Sequence, residues 1–220
     1  MTKARKSPLR KGALYLKVMV VAALFGCDKD EAESLHGHFT DARDGKTYKT
    51  VQIGAQVWMA ENLNYEAPGS LVYDNDSANA AVYGRLYNWE TACKVCPPDW
   101  HLPSKQEWDV LVNHLGGDLL DKEEFVGRYL KEEGTTHWEE PNTRASNSSG
   151  FTGLPGGSSE PVANYHNFIS KGFLGHFWSS TEYRDWLAWS ATLFYNGERI
   201  SIFTPGKSSG FSVRCLKNQR

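Results

Sequence analysis

The chain is expected to fold as an α+β domain, and three observations point there. The first is a helix signal in mid-chain. Ser104-Lys105-Gln106-Glu107 has the spacing of a capping box, in which the Ser accepts from the Glu backbone N–H and the Glu side chain reaches back. Trp108, Leu111, Val112 and Leu115 then form an apolar stripe at helical spacing, and Gly116-Gly117 stops it. The second is a set of short alternating runs bounded by tight-turn pairs at both ends of the sequence. The third is composition: 20 Gly beside 8 Trp, 10 Tyr and 10 Phe suit short strands and long loops better than a helical bundle.

The elements follow in order from residue 39. Asp44-Gly45 is a hairpin turn signal. In "KTYKTVQI", Thr47, Lys49, Val51 and Ile53 alternate against Tyr48, Thr50 and Gln52, as in a strand. Gly54-Ala55 turns the chain into "QVWMAENL". A first helix is read from Trp89, Ala92, Cys93 and Cys96, which share one face at i, i+3, i+4 and i+7 and so point inward. Pro97-Pro98 ends it, since proline lacks an N–H and pushes the preceding residue out of helical geometry. A further short helix with Phe125, Tyr129 and Leu130 is expected between 118 and 133. Residues 134 to 170, rich in Gly, Ser, Asn and Pro, read as a long surface excursion. Strands "GFLGHFWSST", "WLAWSATLFY" and "RISIFTP" follow, the last two joined at Asn196-Gly197. "GFSVRCLK" closes the domain with Phe211, Val213 and Cys215 on one inward face.

The first 27 residues have a different character. "MTKARKSPLRKGALYLK" carries six Lys or Arg and no acid, and "VMVVAALFG" is apolar but too short for a membrane-spanning helix. This is the pattern of a secretory signal. Its end, Leu24-Phe25-Gly26-Cys27, resembles the bacterial lipobox, although Phe25 is bulkier than that motif usually carries. Cys27 is therefore the expected lipidation site and membrane anchor. Residues 28–38 read as a polar tether, with His36 and His38 as linker histidines rather than metal ligands. "DKDEAES" behind Cys27 resembles a surface-export signal of lipoproteins in some Gram-negative lineages; in others an Asp there means inner-membrane retention. The expected location is the outer membrane surface.

Composition and motifs narrow the function classes. With 24 basic and 26 acidic side chains the net charge is -2, which offers no field for nucleic acid. The loop Asp74, Asn75, Asp76, Ser77, Asn79 crowds oxygen atoms, and Asp74 and Asp76 are weak calcium candidates. No Gly and downstream Glu complete an EF-hand, and Asx-rich loops also satisfy their own backbone. Neither a His-Glu-x-x-His pattern nor a Gly-x-Ser-x-Gly elbow occurs. Pro205-Gly206-Lys207-Ser208 imitates the end of a phosphate loop but lacks the leading Gly and a following helix, so it reads as a hairpin loop. Cys93 and Cys96 sit toward the end of a helix rather than at its N-terminus, where a redox thiol would be activated. A four-cysteine zinc site would need a second pair, and only Cys215 remains. Three cysteines in an exported domain leave at least one thiol unpaired within the chain. Catalysis is thus not expected, and no cofactor is implied. Binding has better grounds: Trp178, Tyr183, Trp186 and Trp189 gather near one strand pair beside Ser and Thr, giving apolar area with polar handles. Trp189 alternates with Leu187, Ala191 and Leu193 and is expected inside, leaving Tyr183, Trp186 and Trp178 as ligand-binding candidates, of which Tyr183 and Trp186 are the expected surface members.

"DGKTYKTVQIGAQVWMAENLNY", "YGRLYNW", "CPPDWHLPSKQEW", "GFTGLPGG", "FWSSTEY" and "GFSVRCLK" occur in that order. Together these blocks resemble the Fibrobacter succinogenes major paralogous domain family over residues 39–217. The resemblance implies an exported bacterial domain, often on lipoproteins, with no established activity. A more distant similarity of Trp89, Ala92, Cys96, His101-Leu102 and Glu107 is to C-type-lectin-like domains. It implies two main helices on a small twisted, mostly antiparallel sheet, and a disulfide between Cys96 and Cys215 that leaves Cys93 as the odd thiol. "HLPSKQEW" and "GFSVRC" are also similar to formylglycine-generating sulfatase-modifying enzymes, whose copper-binding cysteine pair has no counterpart here. Two departures stand out. Val72, Ala80 and Ala81 occupy neighbourhoods where family members often carry a cysteine pair, and Glu140-Pro141-Asn142, a sugar-motif look-alike, precedes the strands where that motif belongs. The resulting expectation is a non-catalytic binding module on a membrane-anchored lipoprotein, directed at polysaccharide or an envelope protein. A display scaffold or a relative of the sulfatase-modifying enzymes are the alternatives.

Overall fold

The structure is a computed structural model that describes residues 36–116 and 122–219. Cys27, the leader and the tether up to residue 35 lie outside them. The α+β class holds, but with two sheets rather than one. The first sheet joins β1 (His36–Thr40), β2 (Thr47–Ile53), β3 (Gln56–Met59), β4 (Trp100–His101) and β10 (Leu216–Lys217), in the order β1-β2-β3-β10-β4. The second joins β5 (Gly156–Val162), β6 (Tyr165–Lys171), β7 (Leu174–Arg184), β8 (Leu187–Phe194) and β9 (Ile200–Phe203), in the order β6-β5-β7-β8-β9. All neighbours are antiparallel except β5 and β7. Helices α1 (Ser77–Tyr83), α2 (Trp89–Val95), α3 (Lys105–Gly116) and α4 (Lys122–Leu130) lie between the first three strands and β5 in sequence. None is long and apolar enough to cross a membrane.

The meander forms where the turn residues direct it. Gly45 (φ +75°) accepts a left-handed turn and donates its N–H to the Asp41 carbonyl at 2.8 Å. Gly54 (φ +60°) does the same for the two-residue link between Ile53 and its partner Gln56. Strand β1 pairs His36 with Val51 and His38 with Lys49, so the ladder takes in histidines assigned to the tether.

Alternation along the central strands separates two cores. Val51 and Ile53 of β2 and Trp58 of β3 face one cluster, with Trp108, Leu111 and Val112 of α3 and Val126 and Leu130 of α4. Tyr48 of β2 and Met59 of β3 face the other, with Ala92 and Val95 of α2. A single residue step flips from one core to the other, because successive strand side chains point to opposite faces. Strand β7 repeats the device with Phe177 and Trp178, and the closing segment with Cys215 and Leu216. Phe211, Val213 and Cys215 share one core, as the alternation predicts.

Helix α2 corrects its predicted face. Asn88 caps it by accepting the Thr91 N–H at 2.9 Å. Ala92 and Val95 are buried, while Cys93 is exposed. Cys96 has already left the helix (φ -63°, ψ 144°), as a residue before proline must. In that extended geometry it bonds to Cys215, 119 residues later. The pairing implied by the family resemblance is present, and Cys93 is the unpaired thiol.

The expected surface excursion is largely built into the domain. Trp138 and Phe151 are fully buried, and the Trp138 indole donates to the Gly153 carbonyl at 3.0 Å. Asn142 is buried too, its amide donating to the carbonyls of Glu132 (2.9 Å) and Gly134 (2.5 Å). The Lys131 ammonium donates to three carbonyls, of Thr143, Phe194 and Gly197, and burial draws its pKa down to about 8. Residues 156–171 form the β5–β6 hairpin. Its buried positions are Gly156, Gly157, Ser158 and Ser159, which no hydrophobic pattern could reveal. Gly157 (φ +66°) is required: a Cβ there would lie 2.4 Å from the Ile169 carbonyl oxygen.

Arg214 ties these parts together. It is completely buried and its guanidinium stacks 4.5 Å above Phe151. Nε donates to Asn62 Oδ1 (2.7 Å), Nη1 to the carbonyls of Met59 and Phe151, and Nη2 to that of Thr152 (2.7 Å). No carboxylate accompanies it in that set, and burial lowers its pKa to about 9. Replacing Arg214 by Lys keeps a cation but loses the planar fork that reaches both sides. Urea unfolding of Arg214→Lys is therefore expected to show a loss of about 3 kcal/mol or more, because several buried acceptors lose their donor. A loss within about 0.5 kcal/mol, the range of ordinary surface substitutions, would show that the fork is dispensable.

Candidate functional site

The surface aromatics expected to bind ligand are set by the β7–β8 hairpin. Its strands pair regularly up to Trp178 and Ser190, then shift register before Glu182 and again before Arg184. Such irregularities twist a strand and re-aim its side chains. Asp185 and Trp186 form the turn between Arg184 and Leu187. Trp186 is 64% exposed and Tyr183 43%. The Tyr183 ring meets Trp189 edge-on at 5.2 Å. Arg184 lies over the Tyr183 ring at 5.0 Å, and the Lys105 ammonium, paired with Asp109, stands 5.4 Å from the Trp189 ring centre.

The tip is braced from behind. Lys207 donates its backbone N–H to the Trp186 carbonyl (3.0 Å) and its ammonium to Glu182 (2.6 Å) and the Asp185 carbonyl (2.8 Å). The same ammonium sits 4.4 Å over Trp89, whose indole donates to the Ser179 carbonyl. The phosphate-loop look-alike is thus a loop whose lysine is spent on the hairpin.

Two expectations about this cluster are corrected. Trp178 is not a ligand contact: it is fully buried, donates to the Tyr87 carbonyl at 2.7 Å and stacks on Phe211. Trp189 is half-buried beside Tyr183 and belongs to neither core: it keeps the face of Ala191 and Leu193 but sits nearer the hairpin end of β8, beyond the core that those two enter. Tyr183, Trp186 and Trp189 share this hairpin, and Trp178 belongs to the core.

The calcium candidates have other work. Asp76 caps α1 by accepting the Ala78 N–H at 2.9 Å, and Asp74 takes a left-handed turn (φ 54°). Asn79 is buried, its amide on the Tyr73 carbonyl and its oxygen on the Lys171 ammonium at 3.0 Å. That lysine already brings a positive charge to the loop. Among the described residues no group of three His, Cys, Asp or Glu could hold a metal ion. The Cys93 thiol is no activated nucleophile either. Partial desolvation raises its pKa more than Lys207 and Lys94 lower it.

Sequence reading missed a cleft of about 430 Å³ between β2, the 60–64 segment after β3, α1 and the 132–154 segment. It includes His137, whose Nδ1 lies 2.9 Å from both Glu132 oxygens. Its walls come from five separate stretches of chain, so no local motif announces it.

The start of α3 couples the hairpin to the rest of the fold. Glu107 Oε2 accepts the Ser104 N–H (2.8 Å) and hydroxyl (2.9 Å), Oε1 lies 2.8 Å from His101 Nε2, and the Glu107 N–H donates to Ser104 Oγ. The expected capping box is complete. The Lys105 N–H next to it donates to Thr181 Oγ1 on β7 at 2.9 Å. Burial alone would raise the Glu107 pKa, but the hydrogen bonds from Ser104 and His101 outweigh it and hold the carboxyl below its ordinary 4.5. A lowered folded-state pKa means a contribution complete above the unfolded value and lost as pH falls through the folded one. Wild type should therefore be more stable than Glu107→Gln at neutral pH. In urea titrations the difference should shrink steadily below about pH 5. A gap independent of pH would show that the carboxylate charge is irrelevant.

Comparison with known protein families matches residues 51–217, more than half of the chain, to the Fibrobacter succinogenes major domain. No curated protein and no solved structure gives a significant match. The matched span runs from Val51, inside β2, to the last residue of β10, and so takes in the disulfide, the β7–β8 hairpin and the buried residues of both cores apart from Tyr48. The chain belongs to the Fibrobacter succinogenes major domain family.

Proposed function

We propose that the protein is a non-catalytic binding module, held to the cell envelope by lipid at Cys27 and presenting the β7–β8 tip to a polysaccharide or envelope partner. The observation that carries the reading is Trp186: a large indole, 64% exposed at a two-residue turn whose backbone is pinned by Lys207. An aromatic fixed at low entropy cost, with Tyr183 and Arg184 beside it, is the kind of anchor that dominates recognition surfaces. The domain itself is read as C-type-lectin-like, supported by the disulfide from the end of α2 to the segment leading into β10. The outward location rests on the basic and apolar leader and on "DKDEAES" behind Cys27.

Wild type is expected to be retained on insoluble polysaccharides or on isolated envelope in pull-down assays. Trp186→Ala and Tyr183→Ala should each weaken retention about tenfold or more, the loss typical of a central aromatic contact. Unaltered retention in both variants overturns the assignment of the tip. If wild type binds neither material, the display-scaffold alternative replaces the binding module. Anchoring is checked separately by metabolic labelling with a fatty acid. The label is expected on wild type and absent from Cys27→Ser, and its persistence in that variant refutes lipidation at this residue.

A further inference from the structure

The cleft beside α1 shares none of its lining residues with the hairpin tip. We infer that it is a second binding site, for a neutral, hydroxyl-rich ligand such as a short oligosaccharide. The argument rests on charge, on the distribution of polar and apolar groups, and on shape.

The charged side chains in the cleft balance. Lys46 and Lys49 stand against Glu61 and Glu132. Lys46 is already committed to Asp44 (2.8 Å) and to the Asn64 carbonyl (2.8 Å), and Glu132 to His137. Neither an anion nor a cation would find a surplus of opposite charge. What remains is a set of separate donors and acceptors. Glu61 Oε2 takes the Lys49 N–H at 2.8 Å, and Oε1 has no hydrogen-bond partner among the described residues. The Glu132 carboxylate fixes the His137 ring through Nδ1, and the Tyr83 ring meets it edge-on at 5.7 Å. Nε2 of this oriented imidazole has no protein partner among the described residues. A hydroxyl both donates and accepts, so it can satisfy a carboxylate oxygen, an ammonium and an imidazole nitrogen in turn.

The lining also includes small apolar side chains, Ala80, Ala81 and Val82 of α1 with Leu154. Val82 is 41% exposed and has no core to fill. A sugar ring carries C–H faces and a rim of hydroxyls, which suits a lining that mixes small apolar with polar side chains. Length points the same way. A second groove of about 420 Å³, running toward β1 and Gly150, shares Lys49, Ala60 and Thr152 with the cleft. The two together are long enough for more than one ring. The floor is rigid, because Arg214 holds the Asn62 side chain and the Thr152 carbonyl from below. A site fixed before the ligand arrives loses less affinity to ordering.

The test is a titration of isotope-labelled protein, followed by backbone amide shifts in nuclear magnetic resonance. The probes are maltotetraose, cellotetraose, laminaritetraose and mannotetraose, with tetragalacturonate as the anionic control, all at millimolar concentration. At least one neutral tetramer is expected to shift the amides of Lys49, Glu61, Val82 and His137. Val82→Arg, at an exposed position, should lower that affinity about tenfold or more with unchanged thermal melting, a loss of about 1.4 kcal/mol or greater. His137→Gln should weaken binding as well, whereas Trp186→Ala should leave it intact, which separates this site from the hairpin tip. The proposal fails if no neutral tetramer moves the cleft amides, or if tetragalacturonate alone does. It fails equally if shifts are confined to residues 183–189, or if Val82→Arg binds as wild type does.

Discussion

A buried guanidinium hydrogen-bonded to amide and carbonyl oxygens, with no carboxylate among those acceptors, organises this domain. Arg214 lies between Val213 and Cys215, whose side chains enter one core, so its own side chain must point to the opposite face. There it lies over Phe151 and Phe177, members of the other core, and donates to Asn62, Met59, Phe151 and Thr152. Those partners come from the end of the first meander and from the long segment before β5. A chain segment poor in regular structure is held in place because its carbonyls are the acceptors that a buried cation needs. Backbone dipoles supply the direct partners, and the half-buried Glu61 adds only a through-space attraction, so no second charge has to be fully buried beside the first.

Lys131 follows the same logic on another side of the segment. Its ammonium takes carbonyls from residue 143 and from the β8–β9 connection. Asn142 and Trp138 add side-chain bonds to backbone from within the segment. Long loops in a compact domain face the problem that their backbone groups lack a ladder. Here four polar side chains supply the missing partners, and that is why a stretch rich in Gly, Ser and Asn packs against a core.

This also explains which parts were legible in the sequence. The capping box at Ser104 and the stripe from Trp108 were readable because local chemistry determines them. The meander and the β7–β8 and β8–β9 pairs were readable from turn residues and alternation. The β5–β6 hairpin was not, since its buried face is Gly and Ser and its fit depends on close backbone approach. Trp178 lies in a core and Trp189 only half-buried, because alternation tells which face a side chain takes but not how far along the strand the core extends. At the candidate site the exposed pair Tyr183 and Trp186 was foreseen, but the bracing by Lys207 and Trp89 was not. Those contacts join residues far apart in sequence. Cys93 was placed inward by helical spacing, yet the helix rotates Val95 in instead, leaving the thiol outside.

The disulfide has a consequence for the durability of the protein under proteolysis. Cys96 and Cys215 enclose α3, α4 and the whole second sheet in one covalent ring. A protease that cuts once anywhere within that ring opens it without releasing a fragment. Both halves stay linked through sulfur. A nicked molecule then remains a single object of unchanged mass apart from one water, with its hairpin tip still attached. Within the ring, only two cuts, or reduction combined with one, would shed material. Damage there becomes a matter of counting breaks rather than of suffering the first.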